Sequence, residues 1–153
     1  EGANWTYSTP WINLWSMDNT VFDRNDNPIV KTIYDPCPAG FHMPAGNAFS
    51  GFTTNGTSGG PINASGAWEN GWNFNNKITN PTTTIYFPVT GGRNTYNSIL
   101  GGIGTDGNYH TANRSSQLTG TFFGLNMHFT SSAVQYMDNW GRGNAQAVRP
   151  VAE

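Results

Sequence analysis

The stretch Tyr136-Met137-Asp138-Asn139-Trp140-Gly141-Arg142 puts an indole, a carboxylate, a carboxamide and a guanidinium within seven residues. Such groups recognise sugars and peptides. An indole face stacks on the apolar side of a sugar ring, while Asp, Asn and Arg bond hydroxyls. Rigid aromatics beside adaptable polar groups are also the material of antibody paratopes. The competing reading is a hairpin loop whose Trp140 folds back onto the core. Trp68 and Trp72, with Asn70 to Asn76 around them, make a second candidate. They either form an exposed platform or pin a long loop to a sheet.

Catalytic chemistry has thinner support. His42, His110 and His128 are not at metal-ligand spacing, and no HExxH occurs. Cys37 lies between Pro36 and Pro38, which suits a buried thiol better than a nucleophile. Ser115 and Ser116 with His110 and Asp106 supply the residue types of a hydrolase triad without an oxyanion signature. Glu69 and Asp106 could form a glycosidase pair, but their sequence spacing does not report the ~5–9.5 Å that chemistry needs. Asp18, Asp23 and Asp26 with Asn19, Asn25 and Asn27 are the densest oxygen cluster. They lack the fixed Gly and terminal Glu of an EF-hand and read as an Asx-rich turn. No cofactor is expected, and calcium has no clear ligand set. Arg149 is expected in an ion pair or backbone contact, and Tyr34 with Asp35 as a local anchor. Asn4, Asn55, Asn63 and Asn113 match the N-glycosylation pattern.

The elements that must hold these groups are mostly strands. The 153 residues suit one domain, 1–153. Charged residues are only 10%, Glu and Lys together number five, and Asn numbers 20. That composition excludes coiled coils and helical bundles. A net charge of −2 with 14% aromatics excludes disorder. Seven Lys plus Arg do not make the basic stripe of a nucleic-acid binder. No apolar run approaches the ~20 residues of a membrane helix. Abundant Asn, Thr, Gly, Ser and Trp with few Lys suggest an extracellular setting. The chain opens at Glu1 without a signal peptide and reads as a fragment or mature piece of a longer protein.

Residues 28–36 form a short β-branched run closed by the turn Asp35-Pro36. Ala45, Ala48, Phe49 and Phe52 fit one face of a short helix starting near Pro44. Residues 54–82 read as a long loop, 82–89 as a strand. Leu125, Met127 and Phe129 alternate with Asn126, His128 and Thr130, predicting a half-buried strand. Ser131-Ser132 would turn it into a hairpin partner over 133–137, followed by a polar loop at 138–143 and a last strand over 145–151.

Four segments carry a family resemblance: residues 31–45 (KTIYDPCPAGFHMPA), 85–94 (IYFPVTGGRN), 107–112 (GNYHTA) and 147–151 (AVRPV). In this order and spacing the chain resembles the Fibrobacter succinogenes major paralogous domain over about residues 28–153. That module is common at the C-terminal end of fimbrillin-like surface proteins of the Bacteroidales. The resemblance implies an α+β, C-type-lectin-like fold: mainly antiparallel strands, one or two short helices and long loops, with the terminal strands close together. Where many relatives read Tyr-Trp followed by two serines, this chain has Tyr109-His110-Thr111-Ala112. Glu-Pro-Asn and Gln-Pro-Asp, the calcium-site tripeptides of C-type lectins, are absent.

The combined expectation is a non-catalytic, adhesin-type binding module, the C-terminal part of a larger protein at a bacterial cell surface (outer membrane or fimbria). It would present Tyr109, His110, Tyr136, Asp138, Asn139, Trp140 and Arg142 to a glycan or host surface protein. Neighbouring domains of the parent protein would be its other partners. The alternatives are a structural domain for fimbrial assembly, a retroelement-diversified binding protein varying within residues 108–146, and, weakly, a polysaccharide-active enzyme.

Overall fold

A computed structural model describes residues 15–17, 27–115 and 123–153. The strands are β1 (Phe41–His42), β2 (Ala64–Ser65), β3 (Gly71–Asn75), β4 (Thr84–Pro88), β5 (Gly92–Arg93), β6 (Leu100–Gly101), β7 (Gly107–Arg114), β8 (Phe123–Phe129), β9 (Val134–Gly141) and β10 (Val151–Ala152). They pair antiparallel as β1-β10, β2-β3-β4, β5-β6 and β7-β8-β9. The fold is therefore mainly antiparallel β.

The expected helix over 44–53 is absent, and no α-helix occurs among the described residues. Pro44, Gly46, Asn47, Ser50 and Gly51 are poor helix formers. The backbone instead makes successive three-residue turns, Ala48 N to Ala45 O, Ser50 N to Asn47 O and Phe52 N to Phe49 O, ending in a 3-10 turn at Ser50–Phe52. The spacing of Phe49 and Phe52 still places both rings on the core, with Phe52 stacked on Phe74 at 3.9 Å.

That core lies between the two three-stranded sheets. Phe74 and Phe87 come from one sheet, and Tyr109, Met127, Phe129, Val134 and Tyr136 from the other. Phe74 meets Phe129 edge-on at 5.5 Å, and Phe87 meets Tyr109 at 5.1 Å. Each fully buried ring contributes roughly 1.5–3 kcal/mol.

The expected 54–82 loop is interrupted by β2 and β3. Its Trp68 and Trp72 are pins, since Trp68 packs on Phe129 and Trp72 Nε1 donates to Thr130 O at 3.0 Å. Asn63 bridges the remaining loop by donating to the carbonyls of Gly51 and Lys77. The expected polar loop at 138–143 is corrected too, because β9 runs through Gly141. The expected final strand reduces to bridges at Ala145 and Ala147 followed by β10.

The run 28–36 forms no strand; it is part of a stapled loop. Lys31 Nζ donates to the carbonyls of Cys37 (2.8 Å), Pro38 (2.8 Å) and Phe41 (2.5 Å). The buried Asp35 carboxylate accepts the backbone N–H groups of Cys37 (2.8 Å) and Met43 (3.0 Å). This seats Cys37 and Met43 in a second apolar cluster with Ala112 of β7, flanked by Trp15, Ile29 and Val148. Burial, then the neighbouring Asp35, pushes the Cys37 thiol up to about 11, so it stays protonated and unreactive. Asp35→Ala would orphan two backbone donors. We expect a loss of at least about 2 kcal/mol in urea denaturation, from ~1–3 kcal/mol per orphaned group.

Candidate functional site

The sheet β7-β8-β9 has two faces, and its register sorts the candidate residues between them. Directly paired residues share a face. On β8, Leu125, Met127 and Phe129 are buried on the core side. Tyr109 pairs with Met127 and lies in that core, 3% exposed, with its hydroxyl donating to Pro88 O at 2.8 Å. Burial pushes the Tyr109 phenol up to about 12. Tyr136 is also a core residue, its hydroxyl donating to Gly56 O at 2.7 Å. Asn139 pairs with Leu125 on the same side. These three residues are not offered to a ligand together with the others.

The opposite, outer face gathers His110, Asp138 and Trp140. His110 pairs with Asn126, Asn126 with Asp138, and Gly124 with Trp140. A register shift between Asn126 and His128 makes this possible. It sets Tyr136 and Met137 of β9 opposite the single residue Met127. A strand without the bulge would put Tyr136, Asp138 and Trp140 on one face. The extra residue keeps Tyr136 in the core and turns Asp138 and Trp140 outward. Arg142 follows the strand, and a Cβ on Gly124 would stand 3.6 Å from its Cγ, so it borders the same face.

Trp140 is held in one orientation. Its Nε1 donates to Asp138 Oδ2 at 2.7 Å, while Asp138 Oδ1 accepts the Asn139 backbone N–H at 2.9 Å. His128 Nδ1 lies 3.8 Å from Asp138 Oδ2, an ion pair when the imidazole is protonated. Opposite Trp140, Gly124 projects no side chain, and the Arg142 stem passes over it. Burial, followed by the charge of Arg114, lowers Arg142 to about 10, which leaves it cationic at neutral pH.

At the other edge, His110 Nε2 meets Asn144 O at 2.9 Å. A carbonyl can only accept, so Nε2 carries the proton. The ring packs against Trp15 at 5.4 Å, and burial lowers its pKa despite the Asn144 contact. Three residues missed in the sequence complete this face: Asn108, Asn126 and His128. Asn126 is 1% exposed, and neither its Nδ2 nor its Oδ1 has a hydrogen-bond partner among the described residues. Buried amides are nearly always bonded, and an unmet group costs about 1–3 kcal/mol. The alternation at 125–130 did mark Asn126 and His128 as polar. Their place between His110 and Asp138 depends on register.

The remaining candidates sort plainly. Arg149 makes neither the ion pair nor the backbone contact expected; its guanidinium lies 4.9 Å from the Phe87 ring centroid. Asp35 anchors its segment, whereas Tyr34 is exposed. Asn63 and Asn113 are buried and inaccessible to glycosylation, while Asn55 is exposed. Among the described residues no three His, Cys, Asp or Glu side chains group as a metal site, and no helix is long and apolar enough to cross a membrane. Asp18, Asn19, Asp23, Asn25, Asp26, Asn4 and Ser116 lie outside the described residues. Comparison with family models, curated proteins and solved structures finds no match to this chain.

The His110 environment makes stability pH-dependent. The folded state holds this imidazole neutral, while an unfolded one takes up a proton below about pH 6.5. Unfolding therefore gains a proton in acid, and stability falls as pH drops from about 6.5 toward the lower folded value. Melting temperatures between pH 7.5 and 5 should show this fall in the parent chain and a shallower one in His110→Gln.

Proposed function

We propose that this chain is a non-catalytic, C-type-lectin-like binding module of a bacterial cell-surface or fimbrial protein. Its ligand is a glycan or a host glycoprotein, taken on the outer face of β7-β8-β9. The observation that carries this reading is Trp140. It is an indole fixed by Asp138 at 2.7 Å, half-buried, and set on the same face as His128 and the unpartnered carboxamide of Asn126. A preoriented aromatic plane beside fixed donors and acceptors loses little entropy on binding. The family resemblance supports the setting, an adhesin-type domain outside the cell. The pairing of β1 with β10, which brings Phe41 beside Ala152, agrees with adjacent terminal strands in that fold. Fold and function are joined here by analogy.

One observation favours assembly with a neighbouring domain as a second reading. Tyr96, Ile99, Leu100 and Ile103 are all exposed in and beside the β5-β6 hairpin. Contiguous apolar surface of this kind marks contact sites.

A glycan and host-glycoprotein array, run with calcium and with chelator, tests the first reading. The expected result is reproducible, chelator-insensitive binding. Trp140→Ala should weaken it at least about thirtyfold, the ~2 kcal/mol of a central aromatic anchor, while the variant still melts cooperatively. Binding unchanged in that variant would move the site off this face, and no binding on either panel would favour the assembly reading.

A further inference from the structure

The sheet β2-β3-β4 ends at β4, whose far edge pairs with no strand among the described residues. Its register with β3 is unbroken from Gly71–Pro88 to Asn75–Thr84. Just outside the strand, Asn76 N donates to Thr83 O and Val89 N donates to Asn70 O. Thr83, Ile85, Phe87 and Val89 therefore turn their backbone groups toward β3, while Thr84 and Tyr86 turn theirs away. The N–H and C=O groups of Thr84 and Tyr86 have no backbone partner among the described residues. Natural sheets guard such an edge with charge, proline or a bulge. Thr84, Ile85 and Tyr86 carry none of these, and no charged side chain occurs from Ile78 to Gly92. All three are exposed, Ile85 by 40% and Tyr86 by 41%. Ile85 pairs with the buried Phe74, so it carries the apolar core face past the last strand. The open stretch is sharply bounded. Before it, the Asn76 carboxamide oxygen accepts the N–H groups of Thr82 at 3.1 Å and Thr83 at 3.2 Å. After it, Pro88 has no N–H, and its carbonyl accepts the Tyr109 hydroxyl.

We infer that two copies of this chain pair antiparallel along their β4 edges, about a two-fold axis at Ile85. In that register Thr84 of each copy faces Tyr86 of the other. Both residues turn N–H and C=O outward, so each facing pair exchanges two backbone bonds. Ile85 then stands directly opposite its own counterpart, in the close non-hydrogen-bonded pair where side chains approach most nearly. On the other face a Tyr and a Thr lie across from each other, a favourable pairing in sheets. The Tyr86 ring is already fixed, its hydroxyl donating to Glu69 O at 2.8 Å and Asn70 O at 3.1 Å. Three features favour a second copy over a foreign strand. The open stretch matches itself in length, it is symmetric in its donors and acceptors, and it brings no like charges together. Pro88 stops the ladder at the same point on both sides. A two-fold contact uses up both edges, so it closes at the dimer. Pairing engages the sheet that lacks Trp140, so two copies of that indole are joined in one particle. The inference stands apart from the glycan reading.

The test is sedimentation velocity of the full chain, with amide hydrogen exchange followed by NMR on the same samples. A small interface makes a weak pair. The chain is therefore followed up to about 1 mM, where an association of millimolar Kd is already half formed. The expected result is a concentration-dependent dimer in which the Thr84 and Tyr86 amides exchange more slowly as the dimer fills. Two variants check the register. Ile85→Lys sets two ammonium groups opposite each other across the axis. Thr84→Pro removes one outward donor from each copy and spares the β3 ladder, because that N–H faces away from β3. Each should weaken association at least about tenfold while still melting cooperatively. A chain that stays monomeric at the highest concentration overturns the inference and leaves the edge to a strand of another protein. A dimer whose Thr84 and Tyr86 amides stay unprotected overturns it by placing the contact elsewhere. Association that both folded variants retain overturns it as well.

Discussion

The constraint on which this structure depends is the demand of irregular backbone for hydrogen-bond partners. Buried N–H and C=O groups must be satisfied, and five of the ten strands among the described residues are only two residues long. Side chains do what longer ladders would do elsewhere. Lys31 gathers three carbonyls, Asp35 two amides, and Asn63 two more carbonyls. Asn113 accepts from Gly46 N, and Asn144 from Thr95 N. A carboxamide is neutral and both donates and accepts, so it can be buried at low desolvation cost. The composition follows from this, with 20 Asn where charged residues are scarce.

The same chemistry divides the central sheet. Its core face is closed by aromatic edge contacts and commits Tyr109 and Tyr136 to packing. Part of its outer face is covered by the stapled 31–43 segment through Cys37, Met43 and Ala112. What remains of that face carries amide atoms with no hydrogen-bond partner among the described residues, at Asn108 Oδ1, Asn126 and Gln146. In a protein that otherwise pairs its polar groups through side chains, this concentration sits beside a fixed indole. On the proposed reading, binding falls where stability was left incomplete, a common property of binding sites.

Much of this was legible in the sequence where a local rule governs. The 82–89 strand, the 125–129 alternation and the Ser131-Ser132 turn are close to the observed β4, β8 and the β8-β9 connection. Of the two readings of Trp68 and Trp72, pins rather than platform match their packing, and the buried Cys37 matches its neighbours. Two of the expectations that failed show the physical reason most clearly. The 44–53 helix had the right apolar spacing, but Phe49 and Phe52 also satisfy a three-residue turn. The 138–143 segment was read as a loop from its polar residues, whereas β9 continues to Gly141 through a bulge that leaves Tyr136 inward and Asp138 outward. No local pattern distinguishes the end of a strand from an inserted residue. Four of the seven candidate residues, His110, Asp138, Trp140 and Arg142, fall on or border one face; Asn126 was marked as polar by the alternation, but its place between His110 and Asp138 needed the register.

The most direct test of the outer face as a binding surface is Asn126→Leu, measured for thermal stability and for glycan binding together. On the proposed reading, the Asn126 amide, buried without partners among the described residues, is kept at the expense of the fold. Replacing it with an apolar side chain of similar size should leave stability unchanged or raise it by about 1 kcal/mol while abolishing binding. A variant that loses several degrees of melting temperature yet binds as the parent does would contradict the account.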